Sequence, residues 1–187
     1  GGIRAFRIRS RIAQPQWGQR DMWLDQTGYE QMFATAAEDD LVLSFLVGPV
    51  DLGEIGRMCR RFPQTRVIID HVGGVRVKDG AVDAEQLQPL LDLADCPGVY
   101  VKLGPVHALA EPEPPFSGSI PLLRQVIDAY GAHRCMWESD LGGPILMPDP
   151  PQDLPAAINI IRHAEFLDDV EKRAILGGTA RQLLWKK

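Results

Sequence analysis

Five short apolar runs, rich in β-branched and aromatic residues, punctuate this chain, and helical patterns separate them. The runs occupy residues 2–8, 41–47, 66–72, 99–103 and 135–139. Runs of this length and composition read as strands buried on both faces. The strand–helix order repeats without a hairpin between the main strands, and a parallel return needs a crossover long enough to hold a helix. The expected architecture is therefore α/β, with one parallel sheet. The helical patterns lie at 27–39, from Asp51 to just before Pro63, after Asp83, at 120–130, at 156–163 and at 170–184. Thr27 with Glu30 has capping-box spacing, and Gly177-Gly178 interrupts the last helix. Most of the 15 prolines and 18 glycines fall between these segments. No linker or internal boundary breaks the rhythm, so residues 1–187 read as a single domain.

Bulk properties narrow the function classes. At 45% hydrophobic and 24% charged residues, the chain has the composition of a packed globular domain. A formal charge of -5 disfavours a nucleic-acid surface. No apolar run approaches the roughly 20 residues of a membrane span, and the start carries no signal-peptide pattern. Cys59, Cys96 and Cys135 form no CxxC or zinc-knuckle spacing, which points to reduced, buried thiols in a cytoplasmic protein. No GxGxxG, GxxxxGK[ST] or GxSxG pattern supports a dinucleotide site, a phosphate loop or a serine nucleophile.

The chemistry gathers at two strand ends. Arg66-Val67-Ile68-Ile69 runs into Asp70-His71-Val72-Gly73-Gly74, and Cys135-Met136-Trp137 runs into Glu138-Ser139-Asp140. Ligands of parallel α/β sheets collect at the carboxyl ends of the strands. His71 and Asp140 are therefore expected to face one another across a site. Period-two alternation puts Glu138 on the face of Asp140, one layer deeper, with Lys102 on the adjacent strand. A buried carboxylate needs a partner. A Lys102–Glu138 ion pair beneath the site is expected, with direct participation of Glu138 as the alternative. Trp137 then faces the helical layer. His107, in the proline-rich segment 105–119, reads as a surface histidine that alternatively lines the site; His133 and His163 read as surface or helix-end residues.

Taken in order, Gly2-Ile3-Arg4-Ala5-Phe6-Arg7, Ile69-Asp70-His71-Val72-Gly73, Val99-Tyr100-Val101-Lys102-Leu103, Met136-Trp137-Glu138-Ser139-Asp140 and Ile175-Leu176-Gly177-Gly178-Thr179-Ala180-Arg181 have a familiar arrangement. The set resembles the amidohydrolase-related hydrolases of the amidohydrolase superfamily, on the branch of the pyrone-dicarboxylate and sugar lactonases. Aromatic-acid decarboxylases are kin. The resemblance implies a TIM-type (β/α) barrel in which the five strands match the fourth to eighth. The first three βα units, with the family's opening His-x-His, are then missing from this sequence. The open sheet edges lead us to expect self-association, or completion by strands outside the sequence.

Residue by residue, the resemblance makes Asp140 the base that activates water and His71 the group that polarises the scissile carbonyl. Arg7, near the end of the first strand present, would grip a substrate carboxylate, with Lys102 and Glu138 as further substrate-binding candidates. Arg9 and Arg11 follow Arg7 as a basic loop, and Thr179, where relatives often carry asparagine, closes the last helix turn. If a metal binds, zinc or manganese, its ligands would be His71 and Asp140. Two ligands fall short of the usual three, and the strand Leu43-Ser44-Phe45-Leu46-Val47 lacks the histidine that metal-binding relatives often carry there. That departure favours a metal-free lactonase style. The expected activity is hydrolysis of a small acidic lactone, ester or amide. A metal-dependent nonoxidative decarboxylase and a catalytically inactive packing or binding chain are the alternatives.

Overall fold

The computed structural model describes residues 2–9, 23–25, 27–110, 113–140 and 153–185. The expected loop at 12–19, Arg11 and most of the loop at 144–155 lie outside the described residues.

In chain order the elements are β1 (Ala5–Arg9), α1 (Thr27–Glu38), β2 (Val42–Leu46), α2 (Pro49–Arg61), β3 (Arg66–Ile69) and a small hairpin of β4 (Val77–Lys78) and β5 (Ala81–Val82). Then come α3 (Ala84–Asp92), β6 (Val99–Leu103), a one-turn α4 (Val106–Leu109), α5 (Ile120–Tyr130), β7 (Cys135–Trp137), α6 (Leu154–Arg162), α7 (Asp169–Arg173) and α8 (Thr179–Leu184). β1, β2, β3, β6 and β7 form one sheet in that order, every neighbouring pair parallel. The hairpin turns at Asp79-Gly80, both with positive φ, the geometry that two-residue hairpins prefer. Thr27 is already the first helical residue of α1 rather than its cap, and the Glu30 carboxylate pairs with Arg61 on α2. Asp83 does cap α3, accepting the Glu85 N–H at 3.0 Å.

Alternation along the strands separates two faces. Leu43, Phe45, Val67, Ile69, Val99, Val101, Leu103 and Cys135 point into the main core, under the helices. Trp137 packs against the same cluster, on the helical side as expected. On the opposite face Val42, Ile68 and Met136 pack with Leu183 of α8, with Ala5, Tyr100 and Ala180 alongside. One step nearer the carboxyl ends, the same alternation brings up Arg7, Ser44, Asp70, Lys102 and Glu138. The floor of that face is thus apolar and its upper layer is charged.

Two strands end two or more residues before the sequence pattern does. β3 stops at Ile69, not at residue 72, because His71 (φ 54°), Val72 (φ 52°), Gly73 (φ 63°) and Gly74 (φ 73°) form a left-handed turn. For a residue other than glycine this conformation costs about 1–2 kcal/mol. Val72 bears it because its side chain is fully buried in the main core. A β-carbon at Gly74 would come within 3.2 Å of the Val47 carbonyl oxygen, so the turn packs its backbone onto the end of β2. β7 stops at Trp137 rather than 139, and Asp140 itself has φ 52°. At Gly104 a β-carbon would overlap the Glu138 carbonyl oxygen, so the tips of β6 and β7 approach with no room for a side chain.

The remaining helices match their patterns closely. Thr179 is buried and its hydroxyl reaches the Ala132 carbonyl at 3.3 Å, closing the last turn structurally. The three cysteines are free and buried; burial pushes the Cys59 and Cys135 thiols up to about 12, which makes them unreactive.

Candidate active site

The charged layer is a string of alternating signs across the strand ends. Asp70, directly after β3, is 0% exposed. Its Oδ1 accepts the Ser44 hydroxyl at 2.9 Å and lies 2.7 Å from the Lys102 ammonium. Its Oδ2 has Arg7 Nε at 3.0 Å, an ion pair without hydrogen-bond alignment. Lys102 Nζ continues to Glu138 Oε2 at 3.5 Å. Glu138 Oε1 then takes His71 twice, from the backbone N–H at 3.1 Å and from ring Nδ1 at 2.7 Å. The other ring nitrogen, Nε2, faces Asp140 Oδ2 at 3.8 Å.

His71 and Asp140 are therefore together, across the tip of β6 from one another, as the sequence suggests. Lys102 and Glu138 are within ion-pair range, but each has a tighter partner: Asp70 for Lys102 and His71 for Glu138. Asp70 and Ser44 were not among the sequence candidates. The available signal was parity: Asp70 follows inward-facing Ile68 by two residues, so a buried carboxylate had to be compensated by cations from other strands. Arg7 remains half exposed while Asp70 holds its Nε, which fixes the direction of the guanidinium.

His107 corrects the surface reading. It lies on α4 with 7% exposure, and its nearest charge influence is Asp140. Packing of the one-turn helix onto the core, with Val106 and Leu109 buried, carries the imidazole inward. His133 and His163 are exposed, as expected.

The two buried imidazoles titrate in opposite directions. Burial pushes His71 down, but the hydrogen bond and charge of Glu138, with Asp140 and Asp70, outweigh it and leave the pKa raised. Burial pushes His107 down, and Asp140 only partly offsets it. By linkage, the His71 contribution to stability is fully present below about 6.5, the unfolded value. It is lost as pH rises through the raised folded value. His107 contributes the reverse: its share is present above about 6.5 and is lost as pH falls toward its lowered value. Proton NMR titration should give one histidine midpoint above and one below about 6.5, the ordinary histidine value. Glu138→Gln should move only the higher one, downward. Two coincident midpoints would contradict the geometry.

Fitness for a metal can be judged from the donor set. A catalytic zinc usually has three protein ligands at about 2.0–2.2 Å. His71 Nε2 and Asp140 aim at one volume, but no cluster of three His, Cys, Asp or Glu able to hold a metal exists among the described residues. The cation that balances Asp70 and Glu138 is the Lys102 ammonium. These residues fit a resident metal poorly, and no step below runs through one. No helix among the described residues is long and apolar enough to cross a membrane.

Comparison with known proteins places this geometry. The amidohydrolase family model matches residues 1–185. L-fucono-1,5-lactonase from Burkholderia ambifaria is 32% identical over 120 residues, 64% of this chain and 41% of that enzyme. An amidohydrolase from Burkholderia multivorans with bound zinc superposes with a TM-score of 0.75 at 21% identity, covering 97% of this chain and 64% of that one. A Pseudomonas putida protein provisionally assigned as a 2-pyrone-4,6-dicarboxylic acid hydrolase gives 0.74 at 20%, covering 98% and 63%. The chain thus spans less than two thirds of the length of each of these relatives. The five parallel strands and their helices follow the barrel of these proteins over the matched span. With the family model covering nearly every residue, the chain belongs to the amidohydrolase family.

Proposed function

We propose that this chain carries catalytic residues of a hydrolase for small acidic lactones, with Asp140 activating water. The observation that carries the reading is the pairing of His71 Nε2 with Asp140 Oδ2 at 3.8 Å, beyond the carboxyl ends of β3 and β7, which flank β6. At this separation a water or substrate oxygen seated over the pair can contact both the imidazole and the carboxylate at about 2.8 Å. Similarity to a sugar lactonase supports the reaction class.

In this reading Asp140, half exposed, takes a proton from water as it attacks the lactone carbonyl carbon. In its protonated form, which Glu138 and Asp140 favour, His71 donates a hydrogen bond from Nε2 to the carbonyl oxygen as negative charge develops there. The ring C–O bond then breaks, and the proton held by Asp140 passes to the departing oxygen. One water and one lactone give one hydroxy acid. Glu138 is not the base: one of its oxygens already accepts two bonds from His71, and the other faces Lys102. Arg7, aimed by Asp70, offers the outer edge of its guanidinium to a substrate carboxylate.

The test is hydrolysis of aldono-1,5-lactones and carboxylate-bearing lactones, followed by proton release at neutral pH. Turnover of at least one is expected. Arg7→Ala should raise KM for a carboxylate-bearing lactone about ten- to a hundredfold, the loss of one charge-assisted contact. KM for a neutral lactone should change less than about threefold. No hydrolysis above background with any lactone, ester or amide overturns the proposal.

A further inference from the structure

We propose that Glu138 is a positioning residue: it locks neutral His71 in the tautomer with its proton on Nδ1, so that Nε2, the nitrogen facing Asp140, is the one that gains the proton offered to the substrate carbonyl. The part concerning substrate rests on the lactonase reading; the tautomer itself does not.

Three contacts determine the tautomer. His71 Nδ1 lies 2.7 Å from Glu138 Oε1 and 3.3 Å from the Gly104 carbonyl oxygen. A backbone carbonyl has no proton to give. The same Oε1 already accepts the His71 backbone N–H at 3.1 Å, so it too faces Nδ1 as an acceptor. Two acceptors converging on Nδ1 require a hydrogen there. A neutral imidazole carries one N–H, so Nε2 keeps its lone pair and becomes the site of proton exchange.

Glu138 grips both the backbone and the ring of one residue, which lies in the left-handed turn at φ 54°. Main chain and imidazole are thus fixed by a single carboxylate, and Gly104 provides the space that lets Glu138 reach them. Glutamine cannot substitute. With its amide oxygen toward His71, its NH2 would meet the Lys102 ammonium, donor against donor. With the amide reversed, NH2 would oppose the His71 N–H.

The experiment is two-bond ¹⁵N NMR of the labelled protein, in wild type and Glu138→Gln, at a pH where His71 is neutral, together with steady-state kinetics. Wild type should show His71 protonated at Nδ1 and bare at Nε2. Glu138→Gln should shift the population toward the Nε2–H form. On the best lactone substrate, kcat should fall on the order of ten- to a hundredfold with KM within about threefold. A wild-type His71 protonated at Nε2 overturns the assignment, as does a variant with unchanged tautomer and kcat. Failure of the wild type to hydrolyse any lactone would count against the proposed function alone, and the NMR result would still decide the tautomer. Should Glu138→Gln fail to fold, the wild-type spectrum remains decisive.

Discussion

Asp70→Asn is expected to destabilise the fold by about 3–5 kcal/mol, the cost of breaking a buried ion pair from one side. The substitution preserves shape and leaves an amide oxygen for the Ser44 hydroxyl, so the loss reports charge rather than packing. Asp70 is the fully buried centre of the charged layer, and it compensates both Lys102 at 2.7 Å and Arg7 at 3.0 Å. Without it, Lys102 has one carboxylate 3.5 Å away to balance it and Arg7 loses its anchor. Urea unfolding would show a midpoint lower by roughly 1.5–2.5 M if the slope is about 2 kcal/mol/M. Ser44→Ala, which removes one neutral donor, should cost only about 1 kcal/mol. A loss for Asp70→Asn no larger than that of Ser44→Ala would mean that the charges contribute little.

Asp140→Asn should cut kcat for lactone hydrolysis about 10²- to 10⁴-fold, the range for removal of a general base, with KM close to wild type. Asparagine can still accept a hydrogen bond from Nε2 of protonated His71, but it cannot take a proton from water. The residue sits on an exposed strand end and carries no packing load comparable to Asp70, so thermal unfolding should change little. Steady-state kinetics beside a melting curve separates the two roles. A kcat within threefold of wild type would move the base elsewhere in the site.

Much of the architecture was legible because it follows from periodicity. Alternating strand and helix patterns dictate a parallel sheet, and strand ends dictate where His71, Lys102, Glu138 and Asp140 come together. What escaped depended on contacts distant in sequence. Val72 sits in an apolar run that favours a strand, yet burial in the core and two following glycines hold it in a left-handed turn. Nothing local announces that choice. Asp70 needs Arg7 and Lys102, 63 and 32 residues away by number, before its burial makes sense. His107 is drawn inward by its neighbours on a single helical turn, too short to leave an amphipathic signature. The missed positions share a cause: each conformation is set by tertiary packing that overrides local preference.

The alternating string from Arg7 through Asp70, Lys102, Glu138 and His71 to Asp140 has a consequence for how such a protein can change. Each of the four inner members balances its neighbours, so replacing any one of those exposes an imbalance on both sides. Single substitutions along this row are nearly closed to drift, and new specificities must enter either as matched exchanges of opposite sign or through the uncharged surroundings.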